Sequence, residues 1–580
     1  MMGGFFVKVD ELINQWRTEP SLPISLKKEL DRIAGDPVEM EERFYRFLSF
    51  GTGGMRGLLG AGTNRINIYT IRHVAEGLAL FIRQQGKEAM DRGVVIAYDT
   101  RRFSKTFALE TAKTIGKYGI RVLVFRESRP TPELSFAIRH FGTAAGVVIT
   151  ASHNPAAYNG IKVYGSDGGQ LPPESADHIV SHMQKVKSLF SIQVGDENAL
   201  LQSGILRFVL EEVDAAYQQA LLSLRENEPT EDQPSIVYTP LHGSGLMPVL
   251  VGLRNFGFTQ VSVVSEQELP DPDFPTVAYP NPEERDAFKL AIQLGREQKS
   301  ELLLATDPDA DRLGVAVRDG EGDYQLLSGN QLGALLLHYI LSQKESKGTL
   351  PRDGVVLKTI VTSELGRAIA EKFGVETVDT LTGFKFISEK IEEYRSSGTR
   401  TFLFGYEESY GYLIGDFVRD KDAVQAALLA AEMAAYLKAS GKSMIDALSE
   451  LYEEFGHYME SLHSITLTGK EGQEKIQRIM EAFRTEPHRF LRNSTVRCIE
   501  DYKLRSRRSA DGPVETLELP EADVIKLICE DGSWVCVRPS GTEPKCKFYF
   551  GVNKPTAEEA KSTLLLLETD VMHNVNSAFS

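Results

Sequence analysis

Six times along this chain a continuous run of aliphatic and β-branched residues stops abruptly in a polar loop. VVIAY leads into Asp99-Thr100-Arg101, GVVIT into Ala151-Ser152-His153-Asn154-Pro155, and SIVYT into Pro240-Leu241-His242-Gly243. ELLLAT leads into Asp307-Pro308-Asp309, GVVLKT into Ile360-Val361-Thr362-Ser363, and TFLF into Gly405-Tyr406-Glu407-Glu408-Ser409. Strands that are apolar throughout, rather than at alternate positions, are buried on both faces, and helical stretches between them predict mainly parallel sheets. In such sheets the ligand groups sit on loops at the C-terminal ends of strands. The first ~50 residues instead show helical periodicity (DELINQW, SLKKELDRI, EERFYRFL). The junctions fall in pairs, which predicts three similar α/β/α domains, although no strict repeat is visible in the letters. Polar or Gly-containing interruptions divide the chain into 1–208, 209–325, 326–455 and 456–580. The last block differs: VIKLIC, Asp531-Gly532 and SWVCVR read as a β-hairpin, KCKFYFGV as a third strand and TAEEAKSTLLLLETDVM as an amphipathic helix, giving an α+β domain.

Length and composition agree with this division. The chain has 580 residues, 42% hydrophobic and 25% charged, ordinary for a globular protein of three to five domains at ~100–200 residues each. A formal net charge of −16 argues against general binding to nucleic acid or to an anionic membrane. Any anionic ligand therefore needs a local concentration of Lys and Arg. The four cysteines, Cys498, Cys529, Cys536 and Cys546, lack C-x-x-C spacing and read as reduced thiols of a cytoplasmic protein, with no zinc site. Asp10 and Glu11 interrupt MMGGFFVKVDEL before an apolar signal-peptide core forms. No window approaches the ~20 apolar residues of a membrane-spanning helix.

The sharpest chemical signal is Asp307-Pro308-Asp309-Ala310-Asp311-Arg312. Carboxylates at alternate positions on a loop can converge on one hard cation such as Mg²⁺. The EF-hand alternative fails, because Arg312 and Arg318 occupy the positions of its Gly and Glu. A solvated acidic turn is the plainer alternative; the strand before the loop and the Arg within it favour metal. Thr150-Ala151-Ser152-His153-Asn154-Pro155 could present a nucleophilic serine, but it lacks the G-x-S-x-G elbow and reads equally well as a Ser/Asn turn closing a strand. Arg538-Pro539-Ser540-Gly541-Thr542-Glu543-Pro544-Lys545, with Lys547 beyond, offers the guanidinium, hydroxyls and ammonium groups that suit a phosphate; the alternative is a polar turn with two surface lysines. Phe50-Gly51-Thr52-Gly53-Gly54-Met55-Arg56-Gly57 is not a dinucleotide fingerprint, since Arg56 replaces the third glycine. Gly441-Lys442-Ser443 is not a Walker A, since Tyr436 replaces the first glycine.

Taken together and in order, FGTGGMRG, TASHNP, DPDADR, GYEES and RPSGTEPK resemble the α-D-phosphohexomutase family, from about residue 40 to the end. The resemblance implies four domains around a central cleft, the last one hinged. It implies that Ser152 carries phosphate in the resting enzyme and that Asp307, Asp309 and Asp311 hold one Mg²⁺ per chain, with Ser152 in the metal shell through its phosphate. Arg56 matches an active-site arginine. Lys162 and Lys385 match lysines proposed as acid/base, whose pKa neighbouring arginines would lower. Thr382, Gly383, Glu407 and Ser409 match sugar-binding positions. Arg312 joins the substrate-binding set. Arg538, Ser540, Gly541 and Thr542 match the loop gripping the non-transferred phosphate, with Lys547 where an Arg is frequent. Some members carry a histidine soon after E-x-S; here Tyr410 and Gly411 follow Ser409, so that role passes to Lys385 or to nothing.

The activity implied is interconversion of glucose 1-phosphate and glucose 6-phosphate through a glucose 1,6-bisphosphate intermediate, with that bisphosphate also as activator. Mannose or pentose phosphates are the alternative substrates. Outside the mutases, a phosphatase with Asp307 as nucleophile and a non-catalytic phosphosugar-binding protein are the rival readings. The partner implied is a small phosphosugar; oligomeric state is not legible.

Overall fold

The computed structural model describes residues 9–51, 54–229, 232–467, 469–509, 512–540 and 545–579. The chain forms two compact units, one of Met1–Leu327, Ser388–Ser396 and Tyr410–Ala439, the other of Ser328–Ile387, Ser397–Ser409 and Ser440–Ser580.

The first unit begins with the helices Val9–Thr18, Ile24–Arg32 and Pro37–Phe44, which close around Trp16, itself in edge contact with Phe44, Tyr69 and Phe190. A six-stranded sheet follows, in the order Gly54–Leu58, Tyr158–Tyr164, Ala145–Ile149, Val94–Tyr98, Val122–Phe125, Leu206–Val209. Every residue of Val94–Tyr98, Val122–Phe125 and Ala145–Ile149 is buried, as unbroken apolar runs require when helices cover both faces. A five-stranded sheet has the order Tyr324–Leu326, Leu313–Arg318, Leu302–Thr306, Ile236–Thr239, Val261–Val263.

Both sheets are parallel in the centre and antiparallel at one edge. Val94–Tyr98 pairs parallel with Ala145–Ile149, but Ala145–Ile149 pairs antiparallel with Tyr158–Tyr164. Leu302–Thr306 pairs parallel with Ile236–Thr239 but antiparallel with Leu313–Arg318. The reason lies in chain length. A parallel crossover needs a dozen or more residues, and the stretches 150–157 and 307–312 are too short for one. The two most chemically charged motifs are thus tight reversals at the ends of buried strands.

In the second unit Gly354–Thr359 lies parallel to both Glu376–Thr380 and Thr401–Glu407. A seven-stranded antiparallel sheet has the order His457–Thr466, Lys545–Lys554, Trp534–Pro539, Ile525–Cys529, Val496–Asp501, Ser506–Ser509, Val514–Thr516. The anticipated hairpin is Ile525–Cys529 against Trp534–Pro539, turned by Gly532 in the left-handed region at φ 83°. Helix Ala557–Phe579 follows. All four cysteines are buried with free thiols, and burial pushes those of Cys529, Cys536 and Cys546 up to about 12. Among the described residues no helix is long and apolar enough to cross a membrane.

Candidate active site

The reversal after Ala145–Ile149 holds Ser152 in the left-handed region, φ 52°, and buried. A non-glycine residue there is held by its surroundings. Its amide donates to Thr150 Oγ1 at 2.8 Å. Its Oγ donates to Asp307 Oδ2 at 3.1 Å and lies 3.1 Å from His153 Nδ1. Gly160 permits the fit of the next strand: a Cβ there would lie 2.5 Å from Met55 O and 2.8 Å from Thr150 O.

The reversal 307–312 folds onto its own first carboxylate. Asp307 Oδ1 accepts from the amides of Asp311, 3.0 Å, and Arg312, 3.1 Å, while Ala310 turns the chain at φ 47°. The Pro240–Ser244 loop lies against it, with Ser244 N and Oγ both donating to Pro308 O at 2.9 and 2.8 Å. Gly243 is obligatory at this contact, since a Cβ would come within 2.5 Å of Pro308 Cα.

Asp307, Asp309 and Asp311 are all buried and present ligand oxygens within 4.8 Å of one another. Asp309 Oδ2 accepts from Thr131 Oγ1, 2.9 Å, and from Lys162 Nζ, 3.1 Å. Buried Asp309 Oδ1 and Asp311 Oδ1 have no hydrogen-bond partner. Orphaned acceptors of this kind are costly unless something binds them. Clustered hard oxygens of this kind could hold a divalent cation. Burial, then the charges of Asp311 and Asp309, push the Asp307 carboxyl well above its ordinary range. Burial also opposes ionisation of Asp311, but Lys421, Lys162 and Arg312 outweigh it and hold the carboxyl low.

Lys162, on strand Tyr158–Tyr164, lies 3.6 Å from Asp311 Oδ2 as well. Burial works to lower its pKa, but Asp309 and Asp311 outweigh burial and raise it. The expectation that neighbouring arginines would lower it is therefore reversed in direction, because the nearest charges are carboxylates. His153 is pushed well below the usual range by burial and then by Arg312 and Arg56, so its imidazole is neutral at neutral pH. Arg56 Nη1 donates to Asn154 Oδ1 at 2.6 Å, which brings it to the serine loop. Arg312 pairs with Glu283.

The sequence reading did not find Thr131 or, with more chemical weight, Lys421. Lys421 Nζ lies 3.1 Å from Asp311 Oδ2 and 3.1 Å from Asp420 Oδ1. It follows the strand Gly411–Leu413 in a charged stretch, Arg419-Asp420-Lys421-Asp422, that is unremarkable by composition. It is delivered by long-range bonds. Arg419 N donates to Ser135 Oγ at 2.8 Å, and Tyr164 OH donates to Asp420 Oδ2 at 2.7 Å.

The remaining predicted positions lie in the second unit. Glu407, buried, accepts from Gly383 N at 2.9 Å, and Thr382 Oγ1 is buried beside it in sequence with no hydrogen-bond partner. Lys385 Nζ lies 4.6 Å from the centroid of the Phe386 ring. Ser409 follows the strand that ends at Glu407. Arg538 donates to Tyr549 OH through Nη2, 3.1 Å, and Nε, 3.3 Å. It stands directly opposite Lys547 in the antiparallel ladder, so two cations share one face of the sheet. Ser540 N donates to Lys545 O at 2.8 Å; Gly541 and Thr542 lie outside the described residues.

Comparison with known proteins covers nearly the whole chain. Residues 48–189, 215–320 and 328–455 match the family models described as phosphoglucomutase/phosphomannomutase alpha/beta/alpha domains I, II and III, and 469–563 match the C-terminal domain of the same family. A phosphoglucomutase of Staphylococcus haemolyticus is 38% identical over 526 residues, 90% of this chain and 94% of that protein. One from Staphylococcus saprophyticus is 38% identical over 522 residues, 90% and 93%. Among solved structures, Paramecium parafusin, a phosphoglucomutase in its open form, superposes with a TM-score of 0.68 at 17% identity, over 92% of this chain and 96% of that one.

Proposed function

This chain belongs to the phosphoglucomutase/phosphomannomutase family, isomerases that transfer a phosphoryl group within one substrate, and from that premise we propose that it interconverts glucose 1-phosphate and glucose 6-phosphate. The observation that carries this reading is the 3.1 Å hydrogen bond from Ser152 Oγ to Asp307, inside a buried cluster fit for a divalent cation. Glucose is preferred over mannose and pentose because the relatives at 38% identity are named phosphoglucomutases.

In this proposal phosphorylated Ser152 gives its phosphoryl group to O1 of glucose 6-phosphate: the P–Oγ bond breaks, a P–O1 bond forms, and the proton of the O1 hydroxyl is exchanged for one on Ser152 Oγ. The bisphosphate turns over in the site, and its 6-phosphoryl group passes to Ser152: the P–O6 bond breaks, a P–Oγ bond forms and the Ser152 hydroxyl proton is exchanged for one on O6, leaving glucose 1-phosphate. Added glucose 1,6-bisphosphate would act as activator by rephosphorylating any serine that has lost its group. Asp307, Asp309 and Asp311 would hold Mg²⁺, which neutralises charge on the transferring group. Phosphoryl transfer is chiefly positioning and charge compensation; Arg56 and Arg312 add to the latter. Asp309 and Asp311 raise the pKa of Lys162, so its ammonium can give a proton or hydrogen bond to the departing sugar oxygen; Lys421, 3.1 Å from Asp311 Oδ2, is placed to do the same. If Lys421 acts so, Lys421→Ala lowers kcat by about 10²- to 10⁴-fold, the range for a lost general acid, in steady-state turnover with saturating bisphosphate; an unchanged kcat removes it.

Thr382, Gly383, Lys385, Glu407 and Ser409 would bind the sugar. Arg538, Ser540, Gly541, Thr542 and Lys547 would bind the phosphate that is not being transferred. Loss of a charged hydrogen bond predicts that Arg538→Ala raises KM for glucose 1-phosphate by about 10- to 100-fold, with a smaller change in kcat; an unaltered KM would take Arg538 out of the phosphate site. The reading as a whole is tested by comparing kcat/KM for the 1-phosphates of glucose, mannose, ribose, deoxyribose and glucosamine. Glucose is expected to lead, and a pentose or mannose lead would replace it.

A further inference from the structure

Arg101 has no role in the account so far, yet it is completely buried under the serine loop. Its guanidinium donates to the backbone carbonyls of Ser152 and Asn154 through Nη2, and to those of Pro155, 2.9 Å, and Tyr158, 3.3 Å, through Nη1. Its Nε faces Asp99 Oδ2 at 3.2 Å, both side chains being fully buried. The guanidinium carbon lies 5.0 Å from the centroid of the Phe274 ring, within cation–π range. Asp99 Oδ1 in turn accepts from Arg101 N, 2.9 Å, and Ser104 Oγ, 2.7 Å. Asn159 Nδ2 completes the junction by donating to Arg102 O, 2.9 Å, and Ser104 Oγ, 3.0 Å.

Val94–Tyr98 and Ala145–Ile149 are parallel neighbours, so their following loops emerge side by side. The first loop supplies one charged fork, and the second wraps three of its carbonyls around that fork, with the carbonyl of Tyr158 at the start of the next strand as the fourth. We propose that Arg101, held by Asp99, is a positioning residue that fixes the left-handed conformation of Ser152 and so aims its Oγ for phosphoryl transfer. This rests on the reading of Ser152 as the phosphate carrier.

Two physical arguments support the assignment. A residue with positive φ persists only where its surroundings over-determine it, and the carbonyl of Ser152 itself is one of the atoms Arg101 holds. Moreover, Ser152 in this mechanism alternates between a neutral hydroxyl and a phosphate of roughly −1.5 to −2 charge. A loop that relaxed with each change of charge would lose the alignment on which transfer depends. A clamp on the backbone is indifferent to what Oγ carries. Only arginine can make it: lysine offers a compact ammonium with no planar fork. Arg101 does not touch Oγ, and it acts through the loop.

The test compares wild type with Arg101→Lys, and with the neutral pair Asp99→Asn/Arg101→Gln in case an unmatched buried charge prevents folding. Melting curves establish folding. Steady-state kinetics give kcat and KM for glucose 1-phosphate, and intact-mass spectrometry follows phosphate uptake at Ser152 from glucose 1,6-bisphosphate. A misaimed nucleophile predicts a kcat about 10²-fold lower, the scale of a ~1 Å displacement, with KM within about threefold and phosphate uptake slowed in parallel. A purely structural role would lower the melting temperature and leave kcat and uptake rate in the folded fraction untouched; that result overturns the proposal. If either folded variant turns over within threefold of wild type, the proposal also falls. If wild type itself never carries phosphate on Ser152, it is the nucleophile assignment that has failed, and the clamp with it.

Discussion

Replacing Ser152 by alanine is expected to give a folded protein with kcat reduced by at least about 10⁴-fold, as for removal of other covalent nucleophiles, and with no phosphate on the peptide that contains residue 152. The side chain is small, and its one hydrogen bond to a carboxylate is to Asp307. Its loss therefore removes little that holds the fold, and the melting temperature should stay within a few degrees. Because alanine tolerates the positive φ of residue 152 no better than serine does, Ser152→Gly is the companion variant that separates chemistry from backbone strain. Both should be equally inactive. Wild-type turnover by either would remove Ser152 from the reaction. The chemical stability of the wild-type phosphoenzyme discriminates further: phosphoserine survives acid, whereas an acid-labile acylphosphate would transfer the role to Asp307 and favour the phosphatase reading.

Asp309→Ala is expected to have the second largest effect. Asp309 uses one oxygen to hold Lys162 and Thr131 and leaves the other buried and unpartnered, so it joins the lysine proposed as proton donor to the proposed cation site. Its loss should lower kcat by about 10³-fold, the equivalent of several kcal/mol of charge stabilisation. A binding readout accompanies the kinetic one. A cation that binds only the folded state at about 100 times its Kd stabilises that state by about 2.7 kcal/mol. Wild type should therefore melt higher in Mg²⁺ than in EDTA, and Asp309→Ala should melt alike in both. A variant that still gains stability from Mg²⁺ would show that the carboxylate is not a ligand. Chelation of wild type should remove activity reversibly, with Mg²⁺ restoring it.

Much of the candidate active site was legible in the letters because its parts are local. The buried strands announced themselves as unbroken apolar runs, and both chemical loops follow such runs immediately. Asp307, Asp309 and Asp311 lie so close in the chain that their convergence is a property of one short turn. The hairpin around Asp531-Gly532 is equally local. Antiparallel pairing at the sheet edges was not anticipated, because a run of apolar residues specifies burial but not the direction of the neighbouring strand; the shortness of 150–157 and 307–312 decided it.

Lys421 and Arg101 show where local reading stops. Lys421 reaches Asp311 only because Arg419 and Asp420 are tied to Ser135 and Tyr164, far away in sequence. That stretch joins the compact unit of the metal loop although residues on either side of it belong to the other unit. Arg101 looks like any charged loop residue until the parallel pairing of its strand sets it beneath the serine loop. The amino-acid order alone determined which segments are buried, where the chain reverses and which side chains lie within a few residues of one another. Which distant cation faces which carboxylate was decided by tertiary packing, since a charged side chain carries no mark of its partner until the fold removes both from water.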